Sequence, residues 1–378
     1  MSAPDLHWTD PAGTATHARW HSESGAPAPG RTAPADDRMR ADTAYRLACE
    51  GTALVWHGDY QGARQLLKAL GRRLDRLKPK PGTTPAETFH RHRQARGHRA
   101  RILGMLLVVL EGDHALALRR APDVRAACTA AYGPPTGART AVSLRELLGV
   151  IGAHEWRRKG VPIDALGGDR IHPHYGVFSP VRGEYVDLVA QAPLPAAEGV
   201  AFDLGTGTGV LAAVLARRGA DRVVATDSSP RALACARDNV ARLGLTDRVE
   251  VVDSGDLYPR GRAALVVCNP PWLPGRPTSA VEQGVYDPGG AMLRAFLTGL
   301  AGHLEPGGEG WLILSDLAEH LGLRTRRELL DAIGAAGLRV VDRLDAKPVH
   351  PRASDPSDPL HTARAAEVTS LWRLAPGG

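Results

Sequence analysis

The C-terminal part of the chain predicts an α/β fold built on a mostly parallel sheet with helices on both faces, and three segments carry that prediction. Val200-Ala201-Phe202 is a short apolar run of the kind a buried parallel strand shows. It ends in Asp203 and a glycine turn, Leu204-Gly205-Thr206-Gly207-Thr208-Gly209, before Val210 to Ala216 continue as a helix. Val223-Val224-Ala225-Thr226 repeats the strand pattern and ends in Asp227, and Ala264 to Cys268 repeats it again before Asn269-Pro270-Pro271-Trp272. In such a sheet ligands lie outside the carboxyl ends of the strands, where Asp203, Asp227, Asp256 and Asn269 all fall.

Residues 1–38 are rich in Ala, Pro, Gly, Ser, Thr and His without a helical or strand period, so a disordered, removable leader is expected there. From Met39 the spacing turns helical, with Ala44 to Ala48 and Ala63 to Leu70 as clear segments and Arg99 to Leu110 read as a further helix. An α-helical accessory or substrate-recognition domain is therefore expected over 39–165. The basic run Arg91 to Arg101 reads either as a solvated helix face or as a phosphate-tracking surface; no aromatics interleave it. Residues 166–378, with Gly167-Gly168 as the linker at their start, form the second expected domain. Its later elements are a strand at Trp311 to Ser315, a helix from Thr325 to Ala336, and an antiparallel pair, Leu338 to Leu344 with Glu367 to Leu374, closing the sheet. The long loop between that pair, including His350 to Pro356, reads as a lid or as a surface excursion.

A glycine triplet alone also suits NAD or FAD. Dinucleotide sites hold a pyrophosphate on the loop and helix N-terminus, and Asp203 directly before the loop would put a carboxylate near that anion. An acid suits a cation better. The ammonium and sulfonium of S-adenosylmethionine fit Asp203 and the loop Gly205, Thr206, Gly207 and Gly209, while Asp227, 24 positions on, accepts the ribose hydroxyls. In Asn269-Pro270-Pro271-Trp272 the second proline has no N–H, which leaves the Pro270 carbonyl free. If that carbonyl and the Asn269 side-chain oxygen both accept from one NH2 group, the nitrogen lone pair turns out of conjugation toward a methyl donor. Trp272 offers a ring face on which a planar acceptor stacks.

With these motifs the chain resembles class I S-adenosylmethionine-dependent methyltransferases, in particular release-factor glutamine methyltransferases and ribosomal-RNA guanine-N2 and adenine-N6 methyltransferases. The resemblance implies a Rossmann-like, mostly parallel seven-stranded sheet with an antiparallel last strand, preceded here by the helical domain. It implies that Asn269, Pro270 and Trp272 meet the target nitrogen, Asn269 also lying by the cofactor. It further implies that Asp203, Gly205, Thr206, Gly207, Gly209 and Asp227 hold the cofactor and that Asp256 meets its adenine amino group. His174 to Glu184 resembles the segment that closes over the cofactor, and Tyr286 to Gly290 the loop after the acceptor motif. Trp272 stands where tyrosine or phenylalanine is commoner, so the acceptor cannot be carried over. The expected activity is N-methylation of a macromolecule, at a protein glutamine amide or an RNA base amine. The alternatives are a small-metabolite methyltransferase and a cofactor-binding module.

With 378 residues, 43% of them hydrophobic, the chain is long enough for two cores. No apolar run approaches bilayer length, and the N-terminus shows no secretory pattern. Cys49, Cys128, Cys235 and Cys268 are scattered, with no metal-ligand spacing, so no metal and a cytoplasmic location are expected. The net charge of +6 permits a nucleic-acid partner without requiring one.

Overall fold

The computed structural model describes residues 4–77, 79–197, 199–277, 280–349 and 355–377. Two compact units emerge, one comprising Met1–Pro81 and His90–Glu155, the other Gly82–Phe89 and Trp156–Gly378.

The first unit is not all-helical. Its strands are β1 (Asp5–Thr9), β2 (Ala15–Trp20), β3 (Arg31–Ala35), β4 (Thr52–Trp56), β5 (Leu106–Leu110) and β6 (Thr140–Ser143). They form one sheet in the order β1-β2-β6-β5-β4-β3. Helices α1 (Ala41–Cys49), α2 (Tyr60–Asp75), α3 (Pro85–Gly104), α4 (Arg125–Tyr132) and α5 (Leu144–Lys159) intervene. Strand residues alternate between two clusters. Leu54, Trp56, Leu106, Val108 and Val142 pack with the helices, whereas Leu6, Trp8, Ala18, Trp20, Val55 and Leu107 pack on the other face.

Two expectations are corrected here. The leader 1–38 holds three strands, because Leu6 and Trp8, and Ala18 and Trp20, alternate with outward polar residues at the strand period. Leu106 to Leu110 is a strand, not the end of a helix. It lies between β4 and β6, and a short run buried on both faces does not show a helical stripe. With these strands, the all-α domain expected over 39–165 becomes an α/β unit that starts earlier and draws on the supposed leader. The basic run lies on α3, as a helix, and its Arg99 pairs with Asp75 at 2.8 Å.

In the second unit, β7 (Val161–Pro162) and β8 (Arg170–Ile171) form a small antiparallel pair. The main sheet comprises β9 (Ala201–Leu204), β10 (Val223–Thr226), β11 (Val249–Val252), β12 (Ala263–Cys268), β13 (Leu304–Ser315), β14 (Leu338–Ala346) and β15 (Thr369–Pro376). Its order is β11-β10-β9-β12-β13-β15-β14, parallel throughout except for β15, which is antiparallel to both its neighbours. The helices are α6 (Glu184–Gln191), α7 (Val210–Arg217), α8 (Pro230–Arg242), the short α9 (Ala280–Gln283), α10 (Ala291–His303), α11 (Leu317–His320), α12 (Arg326–Ala335) and α13 (His361–Ala366). Ala201, Leu265, Val267, Trp311, Ile313 and Leu371 face α6 and α7, while Phe202, Val266, Leu312, Leu314 and Trp372 face α10 and α12. The seven-stranded, two-faced sheet follows the sequence reading. Thr325 starts α12 through a capping box with Glu328, which places that helix where its spacing predicts. Of the expected lid, residues 350–354 lie outside the described residues, and His361–Ala366 of the same loop is α13.

Candidate active site

The chain leaves β9 and turns to α7, β10, α8 and β11 on one side, then crosses back to lay β12 against the other edge of β9. The strand order reverses between β9 and β12, the place where an open α/β sheet leaves a crevice at its carboxyl edge. Asp256 follows β11, Asp227 follows β10, Asp203 lies near the end of β9 and Asn269 follows β12. These are four neighbouring strands, with about 4.8 Å between adjacent ones.

The glycine loop has the conformation its sequence requires. Gly205 has φ +71°, and a Cβ there would stand 2.6 Å from the Met292 methyl; Gly209 has φ +80° and a Cβ there would press on Ala236 of α8. Asp203 is buried, and its Oδ2 accepts from the Thr206 hydroxyl at 2.6 Å and from the Ala212 amide at 3.0 Å. Thr206 is therefore a brace of the loop. Burial pushes the Asp203 carboxyl up to about 6, against the two hydrogen bonds. Asp227, half-buried, accepts from the Gly207 amide at 3.0 Å and the Ser229 amide at 2.9 Å, so the acid of β10 and the loop of β9 fix each other. Burial raises its carboxyl as well. Asp256 is exposed on the loop after β11.

At the acceptor motif, the Trp272 indole N–H donates to the Asn269 side-chain oxygen at 2.8 Å. A carbonyl oxygen has two lone pairs, so one stays available to a substrate. The Arg182 guanidinium lies over the Trp272 ring, 5.0 Å from its centroid, and the ring also packs against the apolar clusters on both sides of the sheet. Arg182 was not singled out in the sequence, because nothing local pairs position 182 with position 272.

Asn239, which matches an asparagine often found after the second strand in the resembling family, has partners that only the fold reveals. Fully buried on α8, it donates to the Thr208 carbonyl at 3.0 Å and accepts from the His172 amide at 2.7 Å. It thereby joins the lead-in segment to the glycine loop. His172 bonds the Arg157 carbonyl at 2.6 Å and His174 the Asp238 carboxylate at 3.1 Å, so both histidines hold that segment in place. Tyr286 and Leu273 form an isolated bridge that brings the loop after the acceptor motif back beside it. Asp287 there caps α10, accepting from the Met292 and Leu293 amides.

Residues 169–332 match the methyltransferase small domain. Over 160 residues the chain is 36% identical to a release factor glutamine methyltransferase of Cereibacter sphaeroides, covering 39% of this chain and 56% of that relative. It is 39% identical over 148 residues to a ribosomal protein L11 methyltransferase of Pelotomaculum thermopropionicum, covering 38% of this chain and 40% of that relative. The chain thus spans about half the length of the curated relatives it matches. A solved methyltransferase of Pyrococcus furiosus aligns with 61% of this chain and 98% of its own, at 19% identity and a TM-score of 0.40. The matched segment lies within the C-terminal unit and contains every candidate site residue. It is similar to S-adenosylmethionine-dependent methyltransferases, as the glycine loop and Asn269-Pro270-Pro271-Trp272 imply. Among the described residues no helix is long and apolar enough to cross a membrane.

Two measurements test the cofactor half of the site. Asp227 is expected to accept from the ribose hydroxyls, and a hydrogen bond to a charged group contributes about 1.5–3 kcal/mol. Asp227→Ala should therefore weaken S-adenosylmethionine binding by about ten- to a hundredfold in calorimetry; unchanged affinity would remove Asp227 from the site. Asp203 carries a pH signature. Its carboxyl in the fold, about 6, lies above the ordinary 3.8, so the unfolded chain releases this proton first and the group's contribution to stability declines as pH rises from about 4 to 6. A bound ammonium group favours the carboxylate. Cofactor affinity should thus rise about tenfold per pH unit toward 6 and level off above it, and Asp203→Asn should flatten the profile. A flat profile in the wild-type protein would show that Asp203 only braces the loop.

Proposed function

We propose that the chain is an S-adenosylmethionine-dependent N-methyltransferase acting on a planar nitrogen of a macromolecule, at a protein amide or an RNA base amine. One observation carries the reading. Asp227 and the glycine loop, locked to each other on one side of the strand-order reversal, stand beside Asn269-Pro270-Pro271-Trp272 on the other. The groups that suit a nucleoside and the groups that suit an amine thus share one crevice edge.

Asp203 and the loop Gly205 to Gly209 fit the amino-acid end of the cofactor, Asp227 its ribose and Asp256 its adenine. The cofactor supplies an electrophilic methyl group. Asn269 Oδ1, with its remaining lone pair, and the Pro270 carbonyl accept from the acceptor NH2 and hold its lone pair out of conjugation. The acceleration comes from that orientation and from proximity, without a strong base. As the N–C bond forms, the bond from the methyl group to the sulfonium breaks and leaves the neutral thioether, and the nitrogen gives up its proton to solvent. The names of the two relatives point to protein acceptors, which supports a protein amide here and makes an RNA base the second choice. Four free cysteines, three of them buried, suit a reducing compartment such as the cytoplasm.

The full chain incubated with methyl-labelled S-adenosylmethionine and a bacterial lysate should place label in macromolecular material. Protease-sensitive label supports a protein acceptor and nuclease-sensitive label an RNA acceptor. Label confined to small molecules would overturn the macromolecular reading, and no transfer at all would overturn the enzyme.

A further inference from the structure

We propose that Arg182 is a positioning residue for methyl transfer, setting the ring of Trp272 and, through the indole N–H, the side-chain oxygen of Asn269. The proposal rests on the reading of Asn269 as the group that meets the acceptor nitrogen.

Three side chains fix the guanidinium. Its Nε and Nη2 donate to Glu184 Oε1 at 2.7 and 2.6 Å, Nη2 also reaches Glu367 Oε1 at 3.2 Å, and its plane lies over Trp272. Glu367 is itself anchored. The Ser315 hydroxyl donates to its Oε1 at 2.7 Å, and Ser315 ends β13, the strand beside β12. A line of contacts therefore runs from the end of β13 through Glu367, Arg182 and Trp272 to Asn269 at the end of β12.

The chemistry of each link is directional. An indole N–H only donates, so the Asn269 amide must present its oxygen rather than its NH2 group to Trp272. That choice sets which way the remaining lone pair of Oδ1 points. The ring that dictates it is held by a planar guanidinium whose fork matches carboxylates, a geometry lysine does not reproduce. The arrangement is also a poor way to gain stability. Glu367 is 2% exposed and its Oε2 has no hydrogen-bond partner among the described residues. A buried carboxylate with an open oxygen costs free energy that apolar packing of the same volume would not. A mere fastening of the lead-in segment to β15 does not need it; orientation does.

The seven tryptophans provide a direct reporter, since each gives one indole N–H signal in a nitrogen-15 spectrum and Trp272→Phe identifies the relevant one. In Arg182→Met the Trp272 signal should shift and its exchange with solvent quicken about tenfold. On the labelled acceptor fraction kcat should fall about tenfold or more, while KM and the affinity for S-adenosylhomocysteine change by about twofold or less. Arg182→Lys should restore part of both. An unchanged indole signal in Arg182→Met, an unchanged kcat beside a displaced signal, or cofactor affinity lost in parallel with kcat would each overturn the proposal. If Arg182→Met fails to fold, Glu367→Gln, which removes the charge and turns one carboxylate oxygen into an NH2 group at the same volume, is measured with the same expected and contrary results. A wild-type protein that transfers no methyl group would defeat the methyltransferase reading instead, and the indole signals would still decide whether Arg182 orients Trp272.

Discussion

Asn269→Ala is expected to leave S-adenosylmethionine affinity within about twofold while methyl transfer falls by about two to three orders of magnitude. On the proposed reading cofactor affinity rests mainly on Asp203, the glycine loop and Asp227, and among the described residues no hydrogen bond joins Asn269 to them. Transfer depends on a nitrogen lone pair turned toward the methyl group, and that demand exists in full only in the transition state. Loss of one preoriented hydrogen-bond donor at an oxyanion hole costs about 2.7–4 kcal/mol, and the orienting oxygen of Asn269 is expected to matter on the same order. The signature is a drop in kcat with little change in binding, the reverse of the Asp227→Ala result. Turnover of a confirmed acceptor at the wild-type rate by Asn269→Ala would mean that the hydrogen bond to Trp272 is the whole purpose of the residue and that the N-methylation mechanism is wrong.

A chain lacking residues 1–38 is expected to lose cooperative unfolding of its N-terminal unit. Three of the six strands would go, leaving β6 without β2 and β4 without β3, so that both become open edges. Trp8 and Trp20, at 6% and 7% exposure, would leave Ala53, Val55, Leu107 and Ala141 uncovered. Removing a buried aromatic side chain costs about 3–5 kcal/mol, and two of them approach the whole stability of an ordinary domain, about 5–15 kcal/mol. Denaturant unfolding followed by circular dichroism should show a lower or lost transition in the truncated chain. If the transition survives with unchanged midpoint and slope, β1 to β3 contribute nothing to that unit and the sheet is three strands smaller in effect.

Much of the C-terminal unit was determined by local sequence. Strands such as Val223–Thr226 and Ala263–Cys268 are apolar runs because a parallel strand is buried on both faces, and Gly205 and Gly209 are needed where φ is positive and backbone approaches a neighbour. Asp203, Asp227 and Asn269 each sit at or just beyond the end of such a run, so the strand pattern alone puts them on one sheet edge. The N-terminal unit was decided by tertiary structure. Its first strands bury few large residues, Leu6 and Trp8 in β1 and Trp20 in β2, and Leu106–Leu110 has no period that separates strand from helix; their pairing across the sheet settles the matter. The same holds for Arg182 over Trp272 and for Asn239 between Thr208 and His172. These contacts join residues far apart in sequence, and the identity of a hydrogen-bond partner is a property of proximity in space, which no local period or propensity encodes.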